Sequence, residues 1–350
     1  MTDVERALRP EERLSARLRA LYGAWGYAPY KVGRFEEYEL YMRNKSFLTD
    51  ERVLAFADTD GKLMALKPDI TLSVVKNTRE EDMPLKIAYA ESVYRVPRGA
   101  QGFREIMQAG VEAIGELTEW DFCEVMLLAA RSLQLIRPDG WQLDVSDMGI
   151  IASVFSGAIL TAEEQAQLLS HIRSKDAQGL AQRCGALGVP EDIRANLLAL
   201  VETAGPLLPA LDRLESIGLP PACLAPAASL RAFGEAARAL GLSRVSLDFS
   251  VASDMSYYNG VIFAGFADGV HTSVLSGGRY DPLMERTGKR GGAIGFAVNL
   301  DLAARLSGED GEQAEPVRVP TANRTAREIA LAMEACASRG QRALAEEAEE

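Results

Sequence analysis

Between Leu66 and Asp281, four short stretches collect residue types able to hold a small polar molecule. The first reads Leu66-Lys67-Pro68-Asp69-Ile70-Thr71, and the second runs from Tyr94-Arg95 through Arg104-Glu105-Ile106-Met107-Gln108-Ala109-Gly110-Val111-Glu112. In an extended strand, side chains four residues apart share a face, so Gln108 and Glu112 point the same way. Two polar groups on one face of a run otherwise able to bury itself point to a polar pocket. The third stretch is Tyr257-Tyr258-Asn259-Gly260 and the fourth Gly277-Gly278-Arg279-Tyr280-Asp281. Each also has a plain structural use. Asp69 and Thr71 suit the cap of a helix starting near Ile70, and Gln108 and Glu112 suit a solvated sheet face. Tyr257 and Tyr258 suit a core or an interface, and Gly277-Gly278 suits a turn.

The elements that must carry these residues follow from periodicity. Leu14, Leu18, Leu21, Tyr22 and Trp25 recur at three- and four-residue steps, which predicts an opening helix that Gly26 ends. Strands joined by hairpins are expected at 62–66, 85–96 and 106–114, with further strands at 141–145, 245–251, 260–266 and 293–298. Few helices separate the first group, so an antiparallel sheet is expected. From Thr161, in capping-box spacing with Glu164, to Leu242 the chain is rich in Ala and Leu. This stretch reads as a helical insertion, broken into short helices by Pro190, Pro206, Pro209 and Pro220-Pro221. The acidic segment 307–320 reads as a linker, and a last helix is expected from Thr325, with Glu328 in capping position, to Gly340. The end, 346–350, is expected to fray. The expected organisation is a core in two parts, 1–160 and 243–305, around an insertion at 161–242, followed by 306–350 as linker and helix.

Composition narrows the classes. The 350 residues are 47% hydrophobic with a net charge of −12, which supplies ample core and argues against a non-specific nucleic-acid binder. No stretch approaches the roughly 18 consecutive apolar residues of a membrane helix, and the start is not signal-like, so a cytoplasmic location without a membrane role is expected. Cys123, Cys184, Cys223 and Cys336 lie far apart, with only His171 and His271 to join them. Structural thiols are therefore expected, with no metal site and no cofactor.

Taken in order, the four stretches resemble the histidyl-tRNA synthetase catalytic core over about the first 305 residues. That family reads L-R-P-E-G-T in the first, F-R with a later R-E-x-x-Q-x-x-x-E in motif 2, R-G-L-D-Y-Y in its histidine signature, and G-G-R-Y-D-G before motif 3. The chain matches motif 2 in Arg95, Arg104, Glu105, Gln108 and Glu112, and the last in Gly277 to Asp281. The resemblance implies an α+β fold: a class II aminoacyl-tRNA synthetase-like antiparallel sheet flanked by helices, with a helical insertion and a short C-terminal tail. Motif 1, the family's dimer segment, keeps Gly26, Tyr27 and Glu36 but has Gly33 for its proline, and so implies dimerisation. By resemblance, Asp69, Thr71 and Gln108 bind the α-ammonium group of histidine, and Glu112, Tyr258 and Tyr280 recognise its imidazole. Arg95 and Tyr257 complete the implied histidine site. Carboxylate and carbonyl acceptors suit an ammonium, while a carboxylate and a hydroxyl suit the two imidazole nitrogens. Asp69 replaces the family's Glu, a shorter reach that a bridging water can make up.

The departures fall elsewhere. Ser253 stands where the signature has its catalytic arginine, Asp301-Leu302 where motif 3 has Glu-Arg, and Val96-Pro97 where motif 2 has an aromatic and an adenine-contacting Glu. Losing one well-placed electrostatic donor costs about 2.7–4 kcal/mol, so losing two cations implies little adenylate formation and no catalytic residue. The segment after Leu302 is shorter than the family's anticodon-binding domain, which implies no tRNA partner. The whole pattern resembles the branch of that family that serves as regulatory subunit of short-form ATP phosphoribosyltransferase, in the first step of histidine biosynthesis. That resemblance implies no enzyme activity of its own, a short-form catalytic subunit as partner in a hetero-octamer, and L-histidine as feedback effector. The alternative is a divergent histidine-tRNA ligase or another synthetase-like amino-acid ligase.

Overall fold

A computed structural model describes residues 8–44, 53–96, 102–252, 257–306, 317–322, 324–339, 341 and 343–346. Ser253 and Pro97 lie outside the described residues. The chain divides into two compact units, one of Leu14–Leu306 and one of Met1–Arg13 with Ser307–Glu350.

The larger unit is built on nine strands. In chain order they are β1 (Ala28–Pro29), β5 (Leu85–Arg95), β6 (Arg104–Gly115), β7 (Trp141–Asp147), β8 (Gly205–Pro206), β9 (Val245–Leu247), β10 (Val261–Ala267), β11 (Leu275–Arg279) and β12 (Gly292–Asn299). Across the sheet they lie in the order β1-β5-β6-β12-β11-β10-β7-β9-β8. Neighbours run antiparallel except β1 beside β5 and β7 beside β9. A small sheet of β2 (Phe35–Glu37), β3 (Ala55–Ala57) and β4 (Leu63–Leu66) stands beside it in the order β2-β4-β3.

The large sheet is buried on both faces, and strand alternation sorts the side chains between two cores. Ala88, Ala109, Val111 and Ala113 join the core formed with the helices Pro10–Ala24 and Glu119–Ile136. Ile87, Tyr89, Val93 and Ile114 face the opposite core, where Leu72, Val74 and Val75 of the helix Thr71–Asn77 meet Leu283 and Met284 of the helix Asp281–Arg286. The opening helix ends at Ala24, and Gly26 takes φ +85°, a conformation that costs glycine little.

Between 161 and 242 the chain forms the helices Ala162–Arg173, Ala177–Ala186, Glu191–Glu202, Leu207–Ser216 and Leu224–Ala239. Thr161 accepts from the Glu164 amide while Glu164 closes the reciprocal bond, and Pro190 and Pro206 stand at the N-caps of their helices. The stretch is not purely helical, because Gly205–Pro206 adds the edge strand β8 to the sheet. Among the described residues no helix is long and apolar enough to cross a membrane.

Two sequence expectations are corrected, and one plain structural alternative is excluded. The strand expected at 245–251 stops at Leu247, because the Asp248 side chain accepts from the Ser250 amide and turns Phe249–Val251 into a 3-10 turn. Gly277 and Gly278 are not a turn but the middle of β11. A Cβ there would come within 2.3 Å of the Gly295 carbonyl or 2.7 Å of the Val261 carbonyl. The expected linker gives way to β13 (Val317–Pro320), which pairs in parallel with β14 (Ala343–Glu346) across the helix Ala326–Ser338. Residues 307–316 of that linker, and 347–350 of the end expected to fray, lie outside the described residues. Thr325 and Glu328 do form the expected capping pair.

Candidate functional site

A cavity of about 240 Å³ opens between the start of the helix Thr71–Asn77 and the strands β5, β6, β11 and β12. Its size falls below the roughly 300–1,000 Å³ of drug-sized sites and suits a ligand on the scale of an amino acid. Asp69, Thr71, Arg95 and Gln108 line it, together with Glu112, Tyr257, Tyr258 and Tyr280. All eight residues singled out in sequence therefore meet around one space.

Glu112 is the centre of the arrangement. It projects from β6, is 1% exposed, and accepts a hydrogen bond from Thr71 Oγ1 at 2.8 Å. The Tyr280 hydroxyl donates to its other oxygen. Burial pushes the Glu112 carboxyl up to about 8; the two hydroxyl donors hold it down, and nearby Asp69 adds to the rise. Room for this carboxyl depends on Gly295, its register partner on β12, since a Cβ there would lie 1.7 Å from Glu112 Oε2.

The first stretch serves both uses that the sequence left open. Asp69 Oδ1 accepts from the Leu72 amide at 2.8 Å and so caps the helix Thr71–Asn77, while Oδ2 lies 3.9 Å from Arg95 Nη2. Arg95 Nε also donates to the Pro68 carbonyl at 2.6 Å. The cation is thereby fixed at the cavity rim. Lys67 takes no part in the cavity: its buried side chain ties the Val32 carbonyl to Glu91, 3.1 Å from its Nζ.

The other wall is aromatic. Tyr257 and Tyr258 meet edge to face with ring centres 4.3 Å apart, and Tyr257 and Tyr280 stand 6.2 Å apart. Burial raises the hydroxyl pKa of all three, keeping them neutral hydrogen-bonding groups. Gly278 admits the Tyr258 ring, which would lie 2.8 Å from a Cβ at that position. Asn259, Arg279 and Asp281 are braces rather than lining. Asp281 accepts from Asn259 Nδ2 at 3.0 Å, Arg279 Nε at 2.7 Å and the Ala293 amide at 2.9 Å, which ties the tyrosine stretch to β11 and β12.

Sequence reasoning missed Tyr89, Ser276 and the β12 residues Gly295 to Ala297, which complete the lining. Tyr89 carried no signal, because an aromatic in a buried strand reads as core. The motif 3 departures are accounted for: Leu302 packs against the core, and Asp301 Oδ2 accepts from the Met107 amide at 3.1 Å.

Residues 4–302 match the histidyl-tRNA synthetase family. Among curated relatives, the ATP phosphoribosyltransferase regulatory subunit of Symbiobacterium thermophilum is 30% identical, across 87% of this chain and 78% of the relative. That of Acetivibrio thermocellus is 26% identical, across 89% and 76%. Among solved structures, an ATP phosphoribosyltransferase regulatory subunit/histidyl-tRNA synthetase from Bacillus halodurans superposes with a TM-score of 0.83 at 22% identity, over 97% of this chain and 88% of that one. A chain of the ATP phosphoribosyl transferase (HisG:HisZ) complex from Thermotoga maritima gives 0.66 at 18% identity, over 83% and 97%. Fold and site together define a class II synthetase-like protein. The chain belongs to the histidyl-tRNA synthetase family, in its branch of ATP phosphoribosyltransferase regulatory subunits.

Proposed function

We propose that this chain is a non-catalytic regulatory subunit of ATP phosphoribosyltransferase that binds free L-histidine in the cavity and passes its occupancy to a short-form catalytic subunit. The observation that carries this reading is Glu112: a buried carboxyl framed by two hydroxyls, lining an amino-acid-sized cavity, in a chain of this family. Glu112 takes an imidazole N–H, with Tyr258 and Tyr280 beside it. Asp69, Thr71 and Gln108 take the α-ammonium group, Arg95 takes the carboxylate, and Tyr257 packs the wall.

Synthetase chemistry is not part of the proposal. Leu302, packed on the core, offers no charge to a transferring phosphate, and an adenylate-forming site depends on such charges. Regulation is then linkage: histidine binds one arrangement of the complex better than another and shifts the catalytic subunit toward it. The chain acts as a dimer within a hetero-octamer.

The test measures histidine binding to the full chain, then phosphoribosyl-ATP formation by a short-form catalytic subunit with and without it. Activation that histidine reverses is expected; no activation overturns the proposal. Histidine-dependent pyrophosphate exchange would instead establish a ligase.

A further inference from the structure

Tyr89 lies on the cavity floor in a position that separates its two polar ends. It projects from β5, is 2% exposed, and faces Gly110 of β6 in register. On that face of β6 the neighbours of Gly110 are Gln108 and Glu112, two residues to either side. A Cβ at Gly110 would come 2.6 Å from Tyr89 Oη and 2.8 Å from its Cζ, so the ring lies across β6 in the space the missing side chain leaves. Its hydroxyl reaches the Phe296 carbonyl on β12 at 3.4 Å, so the side chain spans the full width of β6. Any ligand that touches both Gln108 and Glu112 must straddle this ring.

We propose that Tyr89 is a specificity-determining residue, a rigid bar across the floor that fixes the distance between the ammonium end at Gln108 and the imidazole end at Glu112. The pocket thereby selects an amino acid whose flat ring stands one methylene from Cα. The ring does the selecting, because the hydroxyl is spent on a long bond to β12. This inference rests on the histidine reading above.

The test titrates the full chain and its variants with L-histidine and with L-homohistidine, which is one methylene longer. The unaltered chain is expected to prefer histidine by on the order of 100-fold. Tyr89→Leu, which removes the bar, is expected to bring the ratio below about tenfold, whereas Tyr89→Phe keeps it above about 30-fold. If Tyr89→Leu does not fold, Tyr89→Met carries the same expectation with a flexible side chain. A ratio that survives loss of the ring overturns the role of Tyr89 alone. Failure of the unaltered chain to bind histidine overturns the site reading and this inference with it.

Discussion

Glu112 carries the sharpest expectations at the scale of single residues, because its environment sets its charge. Its carboxyl titrates at about 8 in the folded chain against an ordinary 4.5, so between these values the folded form holds a proton that the unfolded form has lost. That group's contribution to stability is therefore complete below about pH 4.5 and is lost progressively as pH rises through 8. Thermal melts of the ligand-free chain should show this slope, and Glu112→Gln should remove it. Binding follows the same proton. In the proposed complex the imidazole and Glu112 share one proton, the neutral site already holds one below about 8, and free imidazole acquires its own below about 6.5. Histidine affinity is thus expected to be flat from about pH 6.5 to 8 and to fall on both sides, with Glu112→Gln weakening it and abolishing the upper limb. Titration calorimetry across pH checks both limbs; a monotonic profile would contradict the pairing. Gly295→Ala should act through the same carboxyl, since its Cβ would overlap Glu112 Oε2, and a loss of histidine binding on the order of 100-fold is expected. Residue types and spacings marked the candidates for a polar site, apart from Tyr89 and Gly295, while the roles proposed for them toward histidine rest on the family resemblance. An aromatic in a buried strand and a glycine in a strand each have a commoner reading.

Among the elements, the helix Thr71–Asn77 has to be held so that Thr71 reaches Glu112, and both of its ends are tied. Asp69 caps its start, and Lys289 Nζ donates to the carbonyls of Val75, Lys76 and Thr78 at its end. A cation on the last carbonyls of a helix satisfies acceptors that have no partner within it. Lys289→Met is expected to cost about 2 kcal/mol and to speed hydrogen exchange of the amides of this helix before those of β6. Equal protection of both would remove Lys289 from this role. Periodicity showed the long strands and the opening helix, since each carries its pattern over several residues. The short strands β1, β2 and β3 were not legible, being too brief for a pattern and formed only by pairing. A turn was the plain alternative for Gly277 and Gly278 for a related reason: glycine is the local signal of a bend, while the carbonyls and the ring that require it here belong to other segments.

On the scale of the whole molecule, the proposed regulation requires occupancy of one small cavity to be felt across a large unit, and the cavity's walls offer a route. Thr71, Glu112 and Tyr280 come from a helix, a central strand and the start of another helix, so a ligand at Glu112 links all three. L-Histidine at about 100 times its Kd is expected to stabilise the chain by about 2.7 kcal/mol and to raise Tm on the order of 5 °C, whereas ATP with magnesium should leave Tm unchanged. A shift with the nucleotide alone would show that a phosphate site survives. The residue types of the pocket and the period of the main strands were determined by the sequence alone, because each is a local property, and Leu302 marks a lost motif 3 cation through the family resemblance. Only the tertiary structure decided that residues as far apart as Thr71 and Tyr280 share one carboxyl, that Asp69 caps a helix while facing the cavity, and that Tyr89 crosses its floor. Those contacts depend on the register of β5, β6, β12 and β11, and register is set by the fit of whole buried faces rather than by any one segment.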